Sequence, residues 1–145
     1  MRQRIYDAAV RMLGGREHSA FELHAKLKRR FPPEQIEIVL SELQEQGLQD
    51  DARFAEVLIR SRINRGYGPH YIQQELRAKQ VSFTETDDWL QADWLDLADN
   101  LMSRKFDYQE CEENQKAWQK ALRFFQRRGF PGNVAYEVLP PMPKQ

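Results

Sequence analysis

The sequence predicts an all-α protein built of three tandem three-helix repeats. Composition is the first observation: Leu, Ala, Glu, Gln, Lys and Arg dominate, and the strict apolar–polar alternation of strands is absent. Next, apolar residues recur at helical spacing in segments separated by Gly, Pro or Asp. Finally, the segments repeat. Leu23, Ile72 and Ala121 are 49 residues apart, as are Leu27, Leu76 and Phe125, and Arg30, Lys79 and Arg128. A helical period of this length points to stacked units, each too small to bury its own face alone.

The first repeat is expected over residues 1–48. Ile5, Ala9, Met12 and Leu13 follow helical spacing, and Gly14-Gly15 ends that helix. Ser19-x-x-Glu22 is a capping box opening the second helix, whose apolar face carries Leu23 and Leu27. Pro32-Pro33 opens the third; Ile36, Val39, Leu40 and Leu43 form its stripe, and Gly47 stops it.

The second repeat is expected over residues 49–92. Asp50-Asp51 is a good N-cap pair, and Phe54 and Leu58 mark one buried face. Gly66 ends that helix and Pro69 starts the next at its first turn, where a missing N–H costs nothing. Ile72 and Leu76 are its inward residues. Ser82-x-x-Glu85 reads as another capping box before a short helix with Trp89 and Leu90. The third repeat, residues 93–145, starts near Asp93 with the stripe Trp94, Leu97, Ala98 and Leu101. Residues 107–113 are polar and acidic and read as a loop or frayed turn. A long helix follows with Trp118, Ala121, Leu122 and Phe125 inward and Gly129 at its stop. Pro131 opens a last short helix, and Pro140, Pro141 and Pro143 predict a loose tail.

Net charge is zero, so any charge argument rests on distribution. Basic residues gather on the second helix of each repeat: Lys26, Lys28, Arg29 and Arg30, then Arg77 and Lys79, then Lys116, Lys120, Arg123, Arg127 and Arg128. From Lys116 to Arg128 there is no acidic residue, whereas Glu85, Asp87, Asp88, Asp93, Asp96 and Asp99 have no lysine or arginine among them. Aligned along an array, the basic helices would form a stripe suited to a nucleic-acid backbone or an acidic protein surface. The competing reading is a solvated face with internal pairs. Glu56 stands four before Arg60, a favourable order for a pair, and Arg62 can equally reach an acid on a neighbouring helix. Tyr67, at a loop tip, can stack on a base, fill a pocket or pack over its own corner. Trp89 and Trp94 read as packing residues.

Other function classes find little support. His18, His24 and His70 are scattered and lack the spacing of a helical zinc pair, and Cys111 has no second cysteine to share a metal or a disulfide. A single cysteine fits a reducing compartment. Cys111 lies in an acidic stretch, which would raise its pKa and dull it as a nucleophile. Asp87-Asp88 and Glu112-Glu113 are adjacent and point apart. Gly66-x-Gly68 lacks the further glycines and lysine of a phosphate loop. No apolar run is long enough to span a membrane. Asp7 and Arg11 interrupt the opening segment, which reads as a helix and not a signal peptide.

The stretches DDARFA, RSRINRGYGPHYIQQELRAKQV and KALRFFQRRGF resemble the RecX regulatory proteins of bacteria. The most specific parts are Asp51-x-Arg53-Phe54-Ala55, the corner from Arg62 to Pro69, and Glu75-Leu76-Arg77-x-Lys79. One departure is Gln80, where such sequences usually have a glycine; Gln80 must take that turn at a conformational cost or make a different one. The resemblance implies an elongated, curved array of the three repeats, in a cytoplasmic, monomeric, non-enzymatic protein with no cofactor. It would bind the RecA–DNA filament groove and inhibit ATP hydrolysis, strand exchange and filament growth, touching DNA weakly and without sequence preference. Expected contacts are Arg62, Arg65, Tyr67, His70, Arg77 and Lys79, extended by Lys116, Lys120, Arg123, Arg127 and Arg128 and by Lys26, Lys28 and Arg30. Two alternatives remain at this point: a sequence-specific reader of helix-turn-helix type, and a structural adaptor using the surface around Trp89 and Trp94.

Overall fold

The computed structural model describes residues 1–144; Gln145, the last residue of the expected third repeat, lies outside the described residues. Every regular element among them is a helix: α1 (Arg2–Gly15), α2 (Ala20–Leu27), α3 (Pro33–Glu45), α4 (Asp51–Asn64), α5 (Pro69–Ala78), α6 (Asp87–Gln91), α7 (Trp94–Lys105), α8 (Tyr108–Glu113), α9 (Gln115–Arg127) and α10 (Gly132–Val138). The all-α expectation holds. Contacts divide the chain into two compact units. One comprises Met1–Val57 with Leu76–Thr84, the other Leu58–Glu75 with the chain from Glu85.

In the first unit, α1, α2 and α3 enclose Ile5, Ala9, Leu23, Leu27, Ile36, Val39 and Leu43, the residues that the helical spacing selects. In the second, α7, α9 and α10 surround Ala98, Leu101, Trp118, Ala121, Phe125 and Ala135. The apolar columns of the repeat are all buried, from Leu23, Ile72 and Ala121 to Leu27, Leu76 and Phe125. Removing any of these larger side chains would leave a cavity, at a cost of roughly 2–5 kcal/mol.

Several local expectations change. The Ser19–Glu22 capping box is present, with Glu22 N–H donating to Ser19 Oγ and Ser19 N–H to Glu22 Oε1. The expected box at Ser82–Glu85 is not: α6 starts later, and Thr86 caps it through Trp89 N–H. Residues 108–113 form the helix α8 and not a loop. Asp107 Oδ1 accepts from Glu110 N–H at 3.1 Å, and Cys111 is buried, which anchors the short turn to the core. Arg60 does not pair with Glu56 but with Asp88, at 3.0 Å. The tail is tied down at its first proline, because the Trp118 indole donates to the Pro140 carbonyl at 2.8 Å. Trp89 and Trp94 pack edge to face, with centroids 5.0 Å apart.

Candidate binding surface

The basic residues divide into those the fold engages and those it leaves to solvent. Arg62 lies across from Glu75 in a two-pronged pair, Nε to Oε1 at 2.7 Å and Nη2 to Oε2 at 2.8 Å. This fork locks the end of α4 to α5 and engages one edge of the guanidinium. Lys26 Nζ lies 3.1 Å from His18 Nε2, while His18 Nδ1 faces the Arg16 carbonyl at 3.0 Å. Burial pushes the His18 pKa below its ordinary value, which suits a neutral ring accepting from Lys26. Arg30 stands over the Phe31 ring at 5.3 Å.

Lys79 and Arg128, the second and third members of the recurring basic column, both reach back onto an earlier helix corner. Lys79 Nζ is 2.9 Å from Glu22 Oε2, on a carboxylate only 7% exposed. Arg16 forms two further contacts to it, at 3.3 and 3.1 Å. Burial raises the Glu22 pKa, but the bonds from Arg16, Lys79 and the Ser19 N–H outweigh it and hold Glu22 at about 2. Arg128 Nη1 donates to the Arg65 carbonyl at 2.7 Å and to the Gly66 carbonyl at 3.3 Å, placing a cation at the α4 C-terminus, where the helix dipole favours it. Its guanidinium lies 4.5 Å from the Tyr67 ring centroid and 4.9 Å from that of Phe124. Tyr67 itself stacks on Tyr71, centroids 4.2 Å apart. Tyr67 is thus packed over its corner.

Lys28, Arg65, His70 and Arg77 are exposed. So are Lys116, Lys120, Arg123 and Arg127, and their spacing of i, i+4, i+7 and i+11 puts all four on one face of α9. None of these four makes an ion pair among the described residues, and Trp118, Ala121 and Phe125 on the opposite face are buried. The cationic face spans roughly 16 Å at the helical rise per residue. No group of three potential metal ligands occurs among the described residues. No described helix is long and apolar enough to cross a membrane. Burial, then Glu110 and Asp107, pushes the Cys111 thiol up, so the acidic neighbours anticipated from sequence come second to desolvation.

Sequence reasoning passed over a second clasp. Arg53 Nε meets Glu17 Oε1 at 2.6 Å, and its two terminal nitrogens donate to the Gly47 and Leu48 carbonyls, each at 3.0 Å. Asp51 Oδ1 accepts from Ala20 N–H and from Gln49 Nε2, each at 2.9 Å. The motif Asp51-x-Arg53 therefore ties the start of α4 to the end of α3 and the start of α2. Nothing in local periodicity signals partners more than thirty residues away.

Profiles of RecX domains match in three places: the first three-helix domain over residues 6–43, the second over 50–85 and the third over 91–139. The regulatory protein RecX of Halorhodospira halophila is 43% identical over 130 residues, 87% of this chain and 80% of the relative. That of Legionella pneumophila (strain Corby) is 37% identical over 137 residues, 92% of this chain and 91% of the relative. A crystal structure of regulatory protein RecX superimposes with a TM-score of 0.76 at 26% identity, covering 94% of this chain and 70% of that one. RecX from Lactobacillus salivarius, at 19% identity and a TM-score of 0.75, shares the fold over 94% of this chain and 93% of its own. The three-helix layout read from the 49-residue period is the family's own, and the chain belongs to the RecX family of regulatory proteins.

Proposed function

We propose that this protein is a negative modulator of the RecA recombinase that binds the RecA–DNA filament and restrains its ATP hydrolysis, strand exchange and growth. The observation that carries this reading is the uncommitted cationic face of α9, Lys116, Lys120, Arg123 and Arg127, on a chain of the RecX family. Exposed cations without internal partners keep their full attraction for an anionic polymer, whereas Arg62, Lys79 and Arg128 are already engaged. Arg65, His70 and Arg77 are the exposed members on the second domain. Contact with DNA through such a surface is weak, salt-dependent and without sequence preference.

The test is RecA ATP turnover on single-stranded DNA. Wild-type protein suppresses it at fewer than one molecule per RecA protomer. Replacing Lys116, Lys120, Arg123 and Arg127 together by Glu abolishes suppression while circular dichroism stays unchanged. Undiminished inhibition by this variant would remove α9 from the contact, and no inhibition by wild type would remove RecA as the target. A Kd that varies strongly with DNA sequence would favour a sequence reader instead.

A further inference from the structure

The end of α9 and the end of α5 make the same turn but dock differently. At the end of α9, the Arg128 and Gly129 carbonyls accept from Gly68 N–H at 2.6 Å and His70 N–H at 2.9 Å, closing backbone on backbone at the start of α5. At the end of α5, no such bonds from the start of α2 to the Lys79 and Gln80 carbonyls occur among the described residues; the amides there are capped instead by Ser19, Glu22 and Asp51 side chains. A cleft of about 360 Å³ opens there, with Phe21, Glu37, Ser41, Gln44, Asp51 and Gln80 on its walls.

We propose that this cleft is a socket for an arginine side chain carried by a partner protein. Its walls offer oxygen acceptors that the fold leaves open. Asp51 uses Oδ1 internally, and its second oxygen has no partner among the described residues. Gln44 spends its Nε2 on Gln49, which leaves its carbonyl oxygen, and the Ser41 hydroxyl makes no hydrogen bond there. Glu37 meets His24 through Oε1 at 3.3 Å, leaving Oε2. The ionisable groups of the cleft are therefore two carboxylates against one imidazole. A side chain that only donates, in several directions, fits this set, and arginine is the one that does so as a planar fork. The Phe21 ring, 41% exposed at the cleft, supplies a face for that plane. A metal ion fits poorly, since no group of three His, Cys, Asp or Glu side chains able to hold one occurs among the described residues. The proposal is independent of whether RecA is the target.

The experiment titrates the full 15N-labelled chain with N-acetyl-arginine N-methylamide, its citrulline and lysine counterparts, and free arginine. The expected result is saturable shifts confined to amides around the cleft, such as Ala20, Phe21, Gln44 and Gln80. The citrulline and lysine compounds bind at least about tenfold more weakly, because neither presents a charged fork. Ser41→Arg fills the cleft with the chain's own guanidinium, and Glu37→Lys removes an acceptor; both lie at exposed positions, and both weaken binding about tenfold or more with helicity retained. Equal binding of citrulline or lysine, shifts scattered over the molecule, or undiminished binding by both variants would overturn the proposal. Free arginine binding much more tightly than the blocked form would also overturn it, by pointing to a free amino acid.

Discussion

After α9 the chain turns at Gly129, φ +84°, and after α5 it turns at Gln80, φ +55°. Both turns carry the same pair of bonds: Gly129 N–H to the Gln126 carbonyl with Phe130 N–H to that of Phe125, and Gln80 N–H to the Arg77 carbonyl with Val81 N–H to that of Leu76. The backbone motif survives the change of residue. What differs is the surface that meets it. At Gly129 the backbone of Tyr71 comes so close that a Cβ would run into it, with Tyr71 Cα at 2.8 Å, and a Cβ on Gly68 would meet the Gly129 carbonyl at 2.6 Å. At Gln80 the start of α2 stands off, and a lysine–carboxylate bridge joins the two ends in place of backbone bonds. Glycine is needed for close approach; the left-handed turn alone tolerates a side chain at a modest cost.

The variant expected to break this comparison most severely is Gly129→Ala. It adds left-handed strain to a collision with rigid backbone, for a loss of about 4 kcal/mol in urea unfolding. A loss near 1 kcal/mol would mean the contact with Tyr71 yields easily, and the contrast between the two ends would vanish.

Glu22→Gln tests the bridge that stands in for backbone docking. It keeps the shape but removes the charge between Arg16 and Lys79, at a cost of about 2 kcal/mol at neutral pH. The pH dependence has a definite sign. The folded-state pKa of about 2 lies below the ordinary 4.5, so the contribution is complete above about 4.5 and fades as pH falls towards 2. Wild type and Glu22→Gln should converge in stability across that window, as followed by urea midpoints in steps of pH. A gap that stays constant would show that ionisation of Glu22 does not carry the effect.

The smallest effect sharpens the comparison. Gln80→Gly relieves a side chain at positive φ and should stabilise the chain by about 1 kcal/mol, read as a higher urea midpoint at unchanged m. No gain would mean that the Gln80 side chain returns its conformational cost through contacts at the cleft.

Much of the fold was legible before any coordinates. Leu23, Ile72, Ala121 and their partners four residues on announce their burial by spacing alone, and Ser19–Glu22 announces its cap. Local signals failed where the decisive partner was distant or its geometry hidden. Ser82 and Glu85 have the right types for a cap, yet Thr86 makes it. Residues 108–113 look too polar for a helix until Cys111 finds the core. In the candidate surface, the α9 face could be read directly because a helix converts spacing into direction. Arg62, Lys79 and Arg128 could not be separated from it, since their occupants sit on other helices.

The sequence by itself determined the helices, their buried faces, the period and the turns, because these follow from interactions within a few residues and from the wish of apolar side chains to leave water. Tertiary structure alone decided which cations are spent. Charge and hydrogen bonding act across whatever lies opposite in space: a carboxylate at Glu22 captures Lys79, carbonyls at Arg65 and Gly66 capture Arg128, and solvent faces Lys120.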